Sequence, residues 1–332
     1  MRLPINIGRN TLSLNFTPRR IPVSPPPSAI PSPQPPPPQP QPRQFRSFHT
    51  INPPLRSPPE HRPNPLYPSP RRTHPIPGVR ELSSLSSGEA GKRAAAYAAV
   101  DAHFSDAPGY VGIGSGSTVF HVVDRIRQLP AGRVRDTGFV PTGHQSRELL
   151  LNAGLRVVRL EDVPMSARIS VCFDGADEVD GWLNCIKGGG GCLLLEKLVA
   201  IRSEVFVVVA DQAKLTRVLL TTCRRGIPIE VIPSATPYVL SELRSLGSTN
   251  PLVRDGAPAK LGPCITDNGN FIVDAPFPPL ASSTAVVELA ESLKGIVGVV
   301  EHGIFWRGDR RPEKAFFGGA GGGAGVEVRP TE

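Results

Sequence analysis

Ile169-Ser170-Val171-Cys172-Phe173-Asp174-Gly175-Ala176-Asp177-Glu178-Val179-Asp180 (ISVCFDGADEVD, 169–180) decides how this chain reads. The first five residues are short, β-branched or aromatic and stop at a turn signal, which predicts a buried strand. Four carboxylates then follow at the point where that strand ends. In an open α/β sheet this edge is where ligands bind. Lys187, the run Gly188-Gly189-Gly190-Gly191 and the pair Glu196-Lys197 come next, so the whole constellation falls within residues 174–197. Residues 193–201 have helical composition. A helix starting there turns its free backbone N–H groups toward the same place.

Working outward, residues 89–104 are alanine-rich and predict a helix. Residues 110–113 form a short strand, and Gly114-Ser115-Gly116-Ser117-Thr118 is a glycine and hydroxyl loop. Residues 119–129 read as a helix with Val119, Val122, Val123 and Ile126 on one face. A strand–loop–helix unit of this kind can offer N–H groups, hydroxyls and a helix dipole to an anion. No Gly-Lys-Ser/Thr follows, so it is not a Walker loop, and its spacing is GxGxG rather than the GxGxxG of a dinucleotide fingerprint. The loop reads either as a phosphate or small-anion site or as a tight turn only. Further strands at 138–142, 155–160, 169–173 and 205–210 alternate with helices at 145–153 and 193–202. That order predicts a mostly parallel sheet covered on both faces.

Past Gly226 the texture changes. Strands at 229–232 and 297–302, helices at 235–246 and 284–293, and a hairpin around Asp267-Asn268-Gly269 predict a small α+β region. Residues 315–317 and 326–328 return as strands, with 318–325 as the loop between them. Residues 1–80 differ from all of this. They hold 24 of the 39 prolines, eleven arginines, no lysine and one acid, Glu60. The remainder of the chain sums to about −2, so the net charge of +8 belongs to the tail and is poor evidence for a nucleic-acid-binding fold. Such a segment cannot bury a core and is expected to be extended or disordered. Its first 20 residues have the acid-poor composition of a transit peptide, although Pro4 and Gly8 weaken the helix such a signal needs. Five cysteines with no CxxC pair argue against a disulfide framework and a structural zinc site. No apolar run is long enough to span a membrane.

The carboxylate cluster first suggests a metal. An EF-hand frame fails, because its third position is Ala176 when counted from Asp174 and Val179 when counted from Asp177. A solvated acidic turn is the bland alternative. The sharper reading is proton transfer: carboxylates close to one another and to a lysine have separated pKa values and can divide base and shuttle roles. Glycines let the backbone approach a substrate and donate N–H groups to a developing oxyanion. With the anion loop added, the site suits a small phosphorylated carbonyl compound.

VGIGSGST (111–118), FVPTGHQS (139–146), DGADEVD (174–180), LNCIKGGGG (183–191), EKLVA (196–200), VADQAKL (209–215), IPIEVIPSA (227–235), TDNGNFIVD (266–274) and GVVEHGIF (298–305) occur in this order. Through them the chain resembles ribose-5-phosphate isomerases of type A, and the spellings AAYAAVD (95–101) and DAPFP (274–278) resemble their fungal or broader eukaryotic branch. It departs at Leu195, where the family often has an arginine. The resemblance implies an α/β fold: a Rossmann-like parallel-sheet domain at 88–226, a smaller α+β (ferredoxin-like) lid domain at 227–303, and a return to the first domain at 304–332. It implies interconversion of ribose 5-phosphate and ribulose 5-phosphate through a cis-enediol, in the non-oxidative pentose phosphate pathway, with no metal and no organic cofactor. By match to the family, Glu196 is the catalytic base and Asp174 handles the hydroxyl proton and ring opening, with Asp177 and Lys187 as polar partners. As that base, Glu196 must rest on neither Lys187 nor Lys197, since a resting cation would lower its pKa. Ser115, Gly116, Ser117 and Thr118 are the substrate loop, with Gly175 and Ala176 beside it. Gly188, Gly189 and Gly190 are the backbone donors, and Lys92 and Lys214 reach the sugar phosphate. The expected partners are a sugar phosphate and further copies of the chain, as a homodimer or homotetramer, with neither nucleic acid nor membrane. The expected compartment is the cytoplasm, or a mitochondrion or plastid if the tail is a transit peptide. The alternatives are a non-catalytic sugar-phosphate sensor, or an amino-sugar-phosphate deaminase or coenzyme A transferase on a related fold.

Overall fold

The computed structural model describes residues 87–106, 109–256, 260–319 and 326–328. The reading of residues 1–80 as a tail lies outside them, as does most of the 318–325 loop. In chain order the first elements are α1 (Ser87–His103), β1 (Tyr110–Ile113), α2 (Ser117–Arg127), α3 (Ala131–Val134), β2 (Gly138–Pro141) and α4 (His144–Asn152). Then come β3 (Ile169–Asp174), β4 (Glu178–Val179), β5 (Cys185–Ile186), α5 (Leu193–Arg202) and β6 (Ser203–Asp211). The chain continues through β7 (Ile227–Val231), α6 (Thr236–Ser245), β8 (Leu252–Val253), β9 (Phe271–Ala275) and α7 (Ser283–Lys294). It ends with β10 (Val299–His302), β11 (Ile304–Phe305), β12 (Lys314–Gly318) and β13 (Val326–Val328).

The main sheet has the order β13-β12-β6-β3-β1-β2. Five of its strands are parallel, and β13 closes one edge antiparallel to β12. The period of two along each strand sends side chains to two separate cores. Val171 and Phe173 of β3, with Val207 and Val209 of β6, meet Ala95, Ala99, Val122 and Ile126 of α1 and α2. Cys172, Phe206 and Val208 point the other way, onto Val199 and Ala200 of α5. This is why the strands read as unbroken apolar runs: both faces are buried, and each buried Val or Phe side chain contributes roughly 1.5–3 kcal/mol. Both neighbours of β1, β2 and β3, follow it in sequence, so the sheet changes direction at β1. The loops leaving β1 and β3 open a crevice at that switch point.

Two expectations need correction. Residues 155–160 are not a strand. Val157 makes a single parallel bridge with Phe139 beyond the edge strand β2, and the chain then turns through the 3-10 turn Leu160–Asp162. Arg202 holds that turn by donating to the carbonyls of Leu160 and Val163. The helix expected at 119–129 starts earlier, at Ser117, because Gly116 at φ 111° ends the loop and lets Ser117 and Thr118 enter the first turn.

Residues 227–302 build a second, antiparallel sheet with order β10-β7-β9-β8. With α6 and α7 this is the β-α-β-β-α-β succession in the order fourth, first, third, second, the ferredoxin-like arrangement. It has its own core of Ile229, Val231, Val239, Leu243, Val273, Ala290 and Leu293. The Asp267-Asn268-Gly269 turn closes through Thr266 and Asn270, with Gly269 at φ 80°. A third, small sheet, β11-β5-β4, leads the chain from β10 back past the glycine run before β12 joins β6. No helix among the described residues is long and apolar enough to cross a membrane.

Candidate active site

A cavity of about 510 Å³ opens at the switch-point edge. Its walls include Lys92 from α1, Ser115 to Thr118 after β1, Gly175, Ala176 and Asp177 after β3, Lys187 to Gly190 after β5, Glu196 from α5 and Lys214 after β6. Fourteen of the fifteen residues expected from the sequence therefore line one space. The exception is Asp174, which lies behind the wall, fully buried.

Asp174 is the last residue of β3, and its Oδ1 accepts from the amides of Ser115 (3.1 Å) and Gly175 (2.7 Å). A Cβ at Gly114 would overlap its carboxyl group, so the loop after β1 can close over the strand end only with glycine there. Its Oδ2 lies 2.8 Å from Lys187 Nζ, and Glu196 Oε2 lies 3.1 Å from the same nitrogen. Both are ionic contacts off the line of a good hydrogen bond. The well-directed bond of Lys187 goes instead to the Gly175 carbonyl, at 2.6 Å. All three charged groups are buried, and the Phe305 ring covers the ammonium at 5.4 Å.

Two carboxylates around one ammonium leave an excess negative charge in a dry place. Burial pushes Glu196 up; Lys187 pulls it back, Asp174 pushes it up again, and it settles at about 7. Burial likewise raises Asp174, against the pull of Lys187 and of the Gly175 and Ser115 amides. Burial alone would lower Lys187, but Asp174 and Glu196 outweigh it and hold the ammonium above its ordinary range. The expectation that Glu196 must avoid Lys187 is thus corrected. The two touch, yet desolvation is the larger effect and Glu196 stays a competent base near neutral pH. The side chain of Lys197 faces away, toward Glu301 (2.9 Å) and Asp309 (2.8 Å).

The acidic run divides by strand geometry. Asp177 Oδ2 accepts from the Gly189 amide at 2.7 Å, so that N–H is already committed, a correction to its expected role as a donor to substrate. Glu178 turns away and accepts from the amides of Leu220, Thr221 and Thr222, each at 2.8 Å. Asp180 accepts from the amides of Trp182 and Asn184 and from the Asn184 side chain. Among the described residues, no three His, Cys, Asp or Glu side chains gather as a candidate metal-ligand set.

The first turn of α2 presents Ser117 and Thr118 to the cavity, and α5 starts at its wall with Glu196 in its first turn. Two helix N-termini favour an anion there. Lys92 Nζ stands 2.7 Å from Glu89 Oε1 and 3.4 Å from Ser117 Oγ. Lys214 closes the turn after β6, where Asp211 accepts from the Ala213 amide at 2.9 Å. Sequence reasoning missed Gln145, Cys192 and Asp211 on the wall, besides the apolar Val209, Ala210 and Ala213. Gln145 Oε1 accepts from the Gly116 amide at 3.0 Å and so braces the anion loop. Its position just after β2, on the same sheet edge, was the available signal. Cys192 precedes α5, and burial pushes its thiol up to about 12. All five cysteines are unpaired.

The family model described as ribose 5-phosphate isomerase A (phosphoriboisomerase A) matches residues 138–322. The ribose-5-phosphate isomerase of Mycosarcoma maydis is 52% identical over 225 residues, covering 68% of this chain and 77% of that protein. That of Candida albicans is 44% identical over 247 residues, covering 74% of this chain and 99% of that protein. The solved ribose 5-phosphate isomerase A of Methanocaldococcus jannaschii superposes with a TM-score of 0.62 at 33% identity, covering 73% of this chain and 99% of its own. A D-ribose-5-phosphate isomerase solved in complex with phospho-erythronic acid gives a TM-score of 0.64 at 33% identity, covering 73% of this chain and 98% of its own.

Proposed function

The chain belongs to the ribose 5-phosphate isomerase A family, and from that premise we propose that its cavity interconverts D-ribose 5-phosphate and D-ribulose 5-phosphate through a cis-enediolate. The observation that carries the proposal is a buried Glu196 with a pKa of about 7, in contact with Lys187, on the wall of a cavity that the first turn of α2, Lys92 and Lys214 also line. A proton beside a carbonyl is weakly acidic, and a carboxylate removes it only if the oxyanion is stabilised as it forms. Glu196 takes the proton from carbon 2 of the open-chain aldose and returns it to carbon 1. The Lys187 ammonium faces the developing oxyanion, and backbone N–H groups of the glycine run support it. One such donor is typically worth ~3–4 kcal/mol in barrier. Asp174 acts by way of Lys187: 2.8 Å from Nζ, it holds that group charged and facing the oxyanion, while the hydroxyl proton passes between the two cis oxygens of the enediolate. Ser117, Thr118, Lys92 and Lys214 bind the phosphate. A related isomerase bound to phospho-erythronic acid, a phosphorylated sugar acid, supports that choice of ligand.

The test is direct conversion of ribose 5-phosphate by the purified chain, run in deuterium oxide with and without a chelator. Ribulose 5-phosphate carrying some solvent deuterium at carbon 1, at an unchanged rate with chelator, is expected. Binding without turnover would favour a sensor, and loss of rate with chelator would overturn the metal-free route. The same reading carries a homo-oligomer and a cytoplasmic enzyme, which light scattering and mass spectrometry of the native N-terminus test.

A further inference from the structure

Arg254 lies outside the motifs tied above to chemistry, directly after β8 in the antiparallel sheet. Its Nε and Nη2 donate to Asp274 of β9 at 2.9 and 2.5 Å, a two-pronged pair that is mostly buried. Its Nη1 donates to the carbonyls of Gly188 and Gly189, both at 3.0 Å. One guanidinium thus joins the second sheet to the backbone of the glycine run that walls the cavity.

A peptide unit is planar and trans, so its C=O and the following N–H point in opposite directions. Drawing the Gly188 and Gly189 carbonyls toward Arg254 turns the Gly189 and Gly190 N–H groups away from it. The Gly189 N–H meets Asp177, which lines the cavity. Gly190 also lines the cavity, and no described residue accepts a hydrogen bond from its N–H. A cation on a carbonyl oxygen also withdraws electron density from the peptide and makes its N–H a stronger donor.

We propose that Arg254 is a positioning residue for the isomerisation: through the Gly188 and Gly189 carbonyls it aims and strengthens the Gly190 N–H toward the enediolate oxygen, and it fixes Asp177 through the Gly189 N–H. The proposal rests on the isomerase reading. No bond or proton changes at Arg254 itself, and Asp274 holds the guanidinium in register.

Full-length wild type, Arg254→Lys, Arg254→Ala and Asp274→Asn are compared, each checked for cooperative thermal unfolding. Wild-type turnover is measured first, and its absence would sink the isomerase reading whatever Arg254 does. With the wild type active, Arg254→Lys and Arg254→Ala lower kcat by about 10- to 100-fold, less than the ~10²–10³ lost with a whole oxyanion donor. KM stays within about threefold, as for an interaction made mainly in the transition state. Affinity for phospho-erythronic acid, whose carboxylate stands in for the enediolate charge, falls in step with kcat/KM, while inhibition by inorganic phosphate is unchanged. Added guanidinium ion restores part of kcat in Arg254→Ala. A folded variant with wild-type kcat, or equal weakening of both ligands, overturns the proposal. If the Arg254 variants do not fold, Asp274→Asn decides: a lowered kcat at constant phosphate affinity supports it, and an unchanged kcat refutes it.

Discussion

At the scale of residues, the account turns on Glu196 as a carboxylate that burial holds protonated up to about pH 7 although it touches a lysine. Only the ionised form can take a proton. kcat/KM should therefore fall tenfold per unit as pH drops below about 7 and level off above it, and a pH–rate profile reads this directly. Because Asp174 and Glu196 surround the same ammonium, that limb belongs to the set rather than to one group. The same shift has a stability sign. The folded value, about 7, lies above the reference 4.5, so between these two the native state holds a proton that the unfolded chain has released. Stability is then lost as pH rises through that window. Glu196→Gln removes the cost. Its unfolding free energy should match wild type near pH 4 and exceed it above pH 7, by on the order of 3 kcal/mol, in denaturant melts at both values. A Glu196→Gln less stable than wild type above pH 7 would mean instead that Glu196 is ionised and stabilising in the fold.

At the scale of elements, α5 carries two adjacent residues with opposite tasks. Glu196 faces the cavity, and Lys197, fully buried, anchors the helix to β10, β11 and the loop beyond them. Its Nζ donates to Glu301, and to the carbonyls of His302 and Ile304, all at 2.9 Å, and pairs with Asp309. Burial pushes Glu301 up, but Lys197 and Lys294 overcome it and hold the carboxyl at about 2. That contribution is present above the ordinary carboxylate range and drains away as pH falls toward 2. Lys197→Met takes the buried cation from Glu301, which keeps only the exposed Lys294, from the half-buried Asp309 and from the His302 and Ile304 carbonyls, and urea melts should show a loss of about 3–5 kcal/mol. Unchanged stability would mean the anchor is not needed.

Sequence alone reached the elements whose signal is local. The strand at 169–173 and the amphipathic α2 were readable because period and turn residues sit inside the segment. The division of the acidic run was not. Nothing in the spelling DGADEVD says that Glu178 will hold the amides at 220–222 while Asp177 holds Gly189. That depends on which way a two-residue strand faces. The environment of Lys197, set by partners more than 100 residues away, was equally out of reach, and so was Arg254.

At the scale of the whole molecule, the cavity-lining residues among those described fall between Lys92 and Lys214, while the antiparallel sheet braces the glycine run from outside. A chain beginning at residue 81 should keep kcat and KM within about twofold of full length, since uniform binding and transition-state contacts are both retained. A large loss would assign the tail a part in the site or its assembly. The central claim is that Glu196, outside the acid run, is the base of an enediolate isomerase. Its most direct measurement is turnover of ribose 5-phosphate by Glu196→Gln beside calorimetric binding of phospho-erythronic acid. The account predicts a kcat at least about 10³-fold lower with a cooperative fold and retained binding, since an amide cannot accept the proton. A folded, ligand-binding Glu196→Gln that turns over at the wild-type rate would contradict it.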